Sequence, residues 1–533
     1  MKTKFCLKLA INNLKRNKQI YIPYLIASIS TIFTFLVYVA IGTTSTMTSL
    51  PLQSEFVQTF FKVGTIIIGL FSVFFLIYAN SFLMKQRMKE FGLFSILGLE
   101  KRHMILVLFF ETTFIAITSF VCSLIIGFVF GNIFFRLFVN IMNLNGENYF
   151  FIGARAITRT LSLLVIIYEI VFGINTFKIH HTKTISLLKS NSVGEKEPKG
   201  HSLIAIVGFI LLIFSYLYAL SASKISDLIL FAPILMTATY LVFIAGSIAI
   251  LKAIKKNEKL YYKPQNFISV SNLMYRMKKN GVGLASICIF STAIIFLLSV
   301  VSSVYFGKDS MLRTRFPNSI EIKATENLDG VYDEIHLLAK NNNILLSDKQ
   351  GDFSEADNQY TLSFNTEGTE KNRIAFAKNI KNSIKEKSII TYFASRDLES
   401  LDWYNYFGGG LFLCVFMGVL FLIALILILY YKQLSEGIED KKQFQILQDV
   451  GMDKDEIKST INQQIKLMFF LPIGMTILHM IVGYNLICRV LAGFHLSDTL
   501  LIFKCILIVI IAFSFVYVAA YKITSNIYYK IIN

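Results

Sequence analysis

Charge is what this chain has least of for its length. Asp, Glu, Lys and Arg make up 16% of its 533 residues, against 54% hydrophobic. Mean hydropathy is +0.59. That balance excludes an ordinary soluble globular protein and fits a multi-span membrane protein. Tryptophan occurs once against 49 Phe, so the apolar mass is Phe, Ile and Leu. The six cysteines, Cys6, Cys122, Cys288, Cys414, Cys488 and Cys505, lie in or beside apolar segments without metal-ligand spacing. No disulfide framework or zinc site is therefore supported. There is no G-x-x-x-x-G-K-[ST], no H-E-x-x-H and no G-x-S-x-G. The chain is read as having no catalytic site, metal or cofactor of its own.

What is present is ten apolar runs, each near the ~20 residues that a bilayer requires. They fall at about 20–41, 63–84, 106–134, 156–177, 202–221, 228–251, 283–305, 407–431, 467–488 and 500–521. The basic N-terminus is followed by an apolar run with no small-residue cleavage site, so a retained first span is expected. The net charge of +18 is not gathered into one basic domain, which argues against nucleic acid. Of 52 Lys and Arg, 32 lie in 1–20, 85–104, 178–201, 252–280, 432–466 and 522–533. The positive-inside rule then predicts a multi-pass cell-membrane protein with both termini cytoplasmic and residues 306–406 extracellular.

Segment 306–406 carries 13 basic and 16 acidic residues and leaves the rest strongly basic, 39 against 18. Strand-like runs at 319–323, 343–346, 360–364 and 388–393 alternate with helical patterns at 328–340 and 371–387. This predicts a small α+β domain on a mainly α, polytopic membrane protein. Residues 183–200 read as a linker, with a short amphipathic start (184–189) broken by Gly194, Pro198 and Gly200. Gly408–Gly410, opening the eighth run, reads as a flexible joint or a packing surface.

One amphipathic segment occurs twice, each time after an apolar run. Lys85–Ile105 reads KQRMKEFGLFSILGLEKRHMI, and Glu436–Ile457 reads EGIEDKKQFQILQDVGMDKDEI. A shift of 353 positions puts Phe91 on Phe444, Phe94 on Leu447, Leu97 on Val450 and Gly98 on Gly451. Apolar residues recur at three-residue steps on one helix face, charges fill the rest, and a Gly ends each copy. Such a helix is expected at the cytoplasmic surface, open to a soluble partner; the plainer reading is an interfacial helix with none. A second trace pairs Ala10–Lys18 with Ser269–Lys278, Asn13 falling on Asn272. The expected organisation is two related four-span halves, 1–180 and 265–533, around a central pair in 181–264. The second half divides into span seven at 265–305, the domain 306–406 and the last three spans in 407–533.

Three ionisable residues fall inside apolar runs, where charge is costly. Glu111 is read as snorkelling to the interface. Glu169, mid-run, is read as either a hydrogen bond within the bundle or a contact to substrate or lipid. His479 is read as a packed polar residue. Three scattered groups make no proton relay, which argues against a secondary carrier.

Several stretches carry a resemblance: Tyr261–Asn280 (YYKPQNFISVSNLMYRMKKN), Tyr430–Asp440 (YYKQLSEGIED), Phe444–Ile457, Gln463–Pro472 (QQIKLMFFLP) with His479, and Glu90–Gly98 (EFGLFSILG). With these the chain resembles the FtsX-like permease superfamily, and more narrowly the BceB-type bacitracin and antimicrobial-peptide resistance permeases of Gram-positive bacteria. The resemblance implies a permease that depends on a separate ABC ATPase subunit, two copies per permease, which binds the ATP. It implies Glu90, Phe91, Phe94, Leu97 and Gly98, with Phe444, Leu447, Val450 and Gly451, as ATPase-coupling helices. Further implied partners are a sensor histidine kinase, membrane lipid, and a peptide antibiotic or its lipid-linked target. The implied function is resistance to, or sensing of, cell-wall-targeting peptides by freeing the lipid target. A signalling scaffold that detects the peptide for a kinase without transport is the alternative. The domain at 306–406 is about half the size usual for that family.

Overall fold

The structure is a computed structural model that describes residues 2–44, 54–142, 150–181, 202–221, 225–256, 264–326, 328–354, 359–384, 387–449 and 454–532. The 183–200 linker lies outside them. Ten helices among the described residues are long and apolar enough to cross a membrane, one for each run predicted.

The first half holds α1 (Lys2–Arg16), α2 (Lys18–Gly42), α3 (Ser54–Ile96), α4 (Lys101–Ile141) and α5 (Ala154–His181). The central pair is α6 (Ser202–Ser221) and a helix in two parts, α7 (Ile225–Leu241) and α8 (Ser247–Lys256), joined by a π-helical turn at Val242–Gly246. The second half holds α9 (Pro264–Phe306), α10 (Lys308–Arg315), α13 (Arg396–Asp449), α14 (Lys454–Ala492) and α15 (Thr499–Ile532). Between α10 and α13 lie α11 (Asp329–Asn341) and α12 (Glu370–Ile384) with four strands.

The two halves share one pattern of neighbours. In the first, α2 packs on α3, α4 and α5, while α5 also meets α3 and α4. In the second, α9 packs on α13, α14 and α15, while α15 also meets α13 and α14. The halves meet where α13 lies against α2, α3 and α4, and the central pair packs on α9 and α14. Aromatic rings fill the seam. Phe71 meets Phe421 at 4.5 Å between centroids, and eleven residues on Phe82 stacks on Tyr431 at 5.9 Å. Both contacts advance together along the chain, so α3 and α13 run parallel, side by side.

The segment between α10 and α13 folds as β1 (Ile320–Ala324), α11, β2 (Leu345–Ser354), β3 (Gln359–Glu367), α12 and β4 (Ile390–Ser395). The sheet order is β2-β3-β1-β4, with β1 antiparallel to both β3 and β4, and β2 antiparallel to β3. This is a split β-α-β arrangement. Alternation on β1 buries Ile320, Ile322 and Ala324 on one face. There they join Leu362 and Phe364 against Ile335 and Phe376 of the helices. The open face is polar, with Lys323 5.6 Å from the Tyr392 ring centroid. β4 runs directly into α13.

One expectation needs correcting. The first repeated segment is not a separate surface helix after a span ending near 84. α3 continues without interruption through Ile96, a helix of about 65 Å at 1.5 Å per residue. Gly98, at φ +91, then stops it. Leu99 N–H donates to Phe94 O at 2.9 Å and Gly98 N–H to Ser95 O at 3.2 Å, a Schellman turn. α4 starts at Lys101, so 85–105 holds one helix end and the next helix start. Alternating charge and apolar residues fit a helix leaving the bilayer end-on as well as one lying flat, and packing against α4 and α5 selects the former.

Candidate functional site

The end of α3, which carries the first repeated segment, is held by a cluster of buried polar side chains. Arg87 on α3 is fully buried and Glu111 on α4 is 1% exposed. Arg87 Nη2 donates to Glu111 Oε1 at 2.5 Å, and Arg87 Nη1 pairs with Glu90. Asn13 of α1 and Tyr21 of α2 complete the Glu111 carboxylate at 2.9 and 2.8 Å. Asn17, in the break between α1 and α2, donates to Glu90 at 2.8 Å. The guanidinium lies 4.9 Å from the Phe91 ring centroid and 5.7 Å from that of Tyr21. Arg87 Nε has no partner among the described residues. Glu111 therefore does not snorkel. It faces inward because α1 and α3 bring it donors that water would otherwise supply. Sequence reasoning missed Arg87, Asn17 and Tyr21; the signal was a lone Arg three residues before Glu90 on a helix that enters a bundle.

The second helix end is tied to the same place. Tyr431 OH donates to Ile20 O at 2.9 Å and Tyr430 OH to Gln19 O at 3.0 Å. The two tyrosines of YYKQ thus fasten α13 to the first turn of α2, beside Tyr21. Residues 436–449 continue α13 as helix. The side chains of Phe444 and Leu447, and Val450 and Gly451 altogether, lie outside the described residues.

The predicted coupling residues of the first copy split by face. Phe91 is 2% exposed and packs with Met84, Met104, Leu108 and Ile179, with Phe94 beside it. Leu93 and Ile96 are exposed and Leu97 is 70% exposed. Gly98 is exposed and Glu90 only partly buried. The face open to a partner is therefore Leu93, Ile96 and Leu97, while Phe91 holds the helix end to α4 and α5.

The other two intramembrane groups part company. His479 on α14 is buried, its Nδ1 2.8 Å from Tyr216 OH on α6 and its Nε2 3.2 Å from Thr239 Oγ1 on α7. Both ring nitrogens are satisfied, and the imidazole ties the central pair to the second half. Glu169 is exposed on the outward face of α5, flanked by exposed Val165, Ile166 and Ile170. It makes no hydrogen bond or ion pair among the described residues, so a bond within the bundle is not what it does.

α13 links the two ends of the molecule. It begins at Arg396, whose guanidinium donates to Phe316 O at 2.9 and 2.7 Å. Asp397 accepts from Arg373 Nε at 3.1 Å. The helix then runs 54 residues to Asp449 without a break, about 80 Å. Gly408–Gly410 are helical and buried or nearly so. A Cβ at Gly408 would sit 2.8 Å from Met142 Sδ and 3.1 Å from Ile141 O, so Gly408 serves as a packing surface within a continuous helix rather than as a joint.

Residues 62–184, covering most of α3, all of α4 and α5 and the first repeated segment, match the FtsX-like permease C-terminal family. The chain is 22% identical over 316 residues to the uncharacterized ABC transporter permease YvcS of Bacillus subtilis, covering 58% of this chain and 49% of that protein. It is 26% identical over 313 residues to the ABC transporter permease protein YxdM of the same organism, covering 57% and 47%. To the bacitracin export permease protein BceB, also of Bacillus subtilis, it is 23% identical over 315 residues, covering 57% and 49%. The chain spans about half the length of the curated relatives it matches. It carries an FtsX-like permease domain in a multi-pass membrane protein.

Proposed function

We propose that this chain is the membrane subunit of an ATP-driven transporter and transmits force from cytoplasmic ATPase subunits to the α/β domain. The observation that carries it is α13, one helix from the base of that domain to the second repeated segment, parallel to α3 and its own repeated segment. Two equivalent handles side by side suit two ATPase subunits, one gripping each. Nucleotide-driven closure would move the ends of α3 and α13 together, and a continuous helix passes that displacement to β4. Lacking a phosphate loop, the chain leaves ATP binding to the partner. The handles would lie in the cytoplasm and the domain outside the cell, as the Lys and Arg distribution has it.

The relatives' names support a substrate of the bacitracin or related peptide class, with resistance or sensing by freeing a lipid-linked target. A second reading, a scaffold for a sensor histidine kinase, is favoured by one observation. Glu169, without a partner among the described residues, sits on an apolar outward face, where a partner's transmembrane helix would satisfy it. Co-purification tests the handles. Leu97→Asp and Phe444→Asp are each expected to reduce recovery of a nucleotide-binding partner at unchanged permease yield. Recovery equal to wild type in both variants would refute docking.

A further inference from the structure

The joint between the α/β domain and the bundle encloses a polar cavity of about 390 Å³ that force transmission does not require. α12 begins at Glu370 and α13 at Arg396, both on the cavity wall, so two helices turn their positive ends toward it. Arg373 is spent on Asp397 and on Gly368 O at 2.8 Å. Among the described residues, Arg396 hydrogen-bonds only neutral carbonyls, Phe316 O and Pro317 O. Burial, and then the nearby Arg313, hold its pKa below the ordinary guanidinium value. Arg313, also on the wall, is exposed and makes no ion pair or hydrogen bond among the described residues. The acids Asp309 and Glu370 are exposed.

Thr366 supplies an independent observation. The residue is 8% exposed, lines the cavity, and its buried Oγ1 has no hydrogen-bond partner among the described residues. An unmet buried hydroxyl is costly where Val would fill the same volume. A hydroxyl can donate to an acceptor there, and the cavity wall carries four cationic side chains against three acidic ones.

We propose that this cavity binds a phosphate-type oxyanion, which Arg313, Arg396 and Thr366 hold at the joint. The bound anion bridges α10, β3 and α13 and so fixes the pose of the domain on the bundle. Two sources offer this chemistry. A soluble phosphate or pyrophosphate is one. An anionic phospholipid headgroup, whose phosphodiester, unlike that of phosphatidylcholine, has no ammonium of its own to neutralise it, is the other, because the apolar part of α13 begins at Phe407, about 16 Å along the helix from Arg396. The assignment does not depend on the ATPase reading.

The test uses the full chain in nanodiscs, with hydrogen exchange of 308–319 and 366–373 as readout. In one arm inorganic pyrophosphate is titrated into protein in phosphatidylcholine discs, with calorimetry alongside. In the other, phosphatidylglycerol discs are compared with phosphatidylcholine discs without added phosphate. Protection in the first arm identifies a soluble source, and in the second a headgroup. Arg313→Gln is expected to weaken binding about tenfold and Thr366→Val about three- to tenfold, the range for a lost charge-assisted and a lost neutral hydrogen bond. Arg313 is exposed and Thr366→Val is near-isosteric, so both variants should unfold thermally as wild type does. The proposal is overturned if neither probe protects the cavity, or if both variants bind as wild type.

Discussion

At the residue scale, the cluster around Arg87 decides how the first helix end is held. Arg87 and Glu111 are both far from water and ion-paired, so removing one strands the other. Arg87→Ala is expected to destabilise the protein by about 3–5 kcal/mol, the cost of a broken buried pair. Arg87→Met with Glu111→Leu, which removes both charges and keeps the volume, should recover most of that loss. Thermal unfolding of detergent-solubilised protein reads both, and equal losses in single and double variants would show that the pair is not the cause. Glu111 and His479 could be picked from the sequence as polar groups in apolar runs. Their roles could not, because they depend on partners up to 98 and 263 positions distant, which only helix packing brings near.

At the element scale, two glycines show the difference between local and tertiary determination. Gly98 ends α3 for a local reason: it follows an amphipathic run and adopts a left-handed conformation that other residues resist. That stop was legible. Gly408 is constrained by α4, a helix more than 250 positions earlier, and the sequence left open a joint or a packing surface. Gly408→Leu is expected to cost about 1–3 kcal/mol through overpacking against Met142 and Ile141, and Gly408→Ala less. Thermal unfolding checks the order; a stability unchanged in Gly408→Leu would mean that the contact yields freely. The continuity of α3 through Ile96 was likewise not legible. Hydropathy marks where lipid-compatible residues stop, whereas the helix stops only where Gly98 breaks its hydrogen bonds.

At the scale of the whole molecule, α3 and α13 give the two repeated segments one common end and a direct path to the α/β domain. Whether that path serves transport or signalling separates in a strain whose partner kinase is constitutively active. Transport predicts that peptide tolerance still requires this chain, measured as the minimum inhibitory concentration with and without it. The scaffold reading predicts tolerance without it, and loss of kinase association in Glu169→Leu at unchanged permease yield.

The sequence by itself determined the ten spans, the order of strands and helices in the inserted domain, and the duplicated segment. Each follows from composition and periodicity within a few tens of residues, which set partitioning and helix or strand preference locally. The tertiary structure alone decided that Phe91 faces inward and Leu97 outward, that Arg87 and Glu111 share a site, that α13 is a single rod, and that Arg396 and Thr366 line one cavity. Those outcomes depend on which faces pack together across hundreds of residues, and a local pattern offers several faces of nearly equal merit until a neighbour covers one.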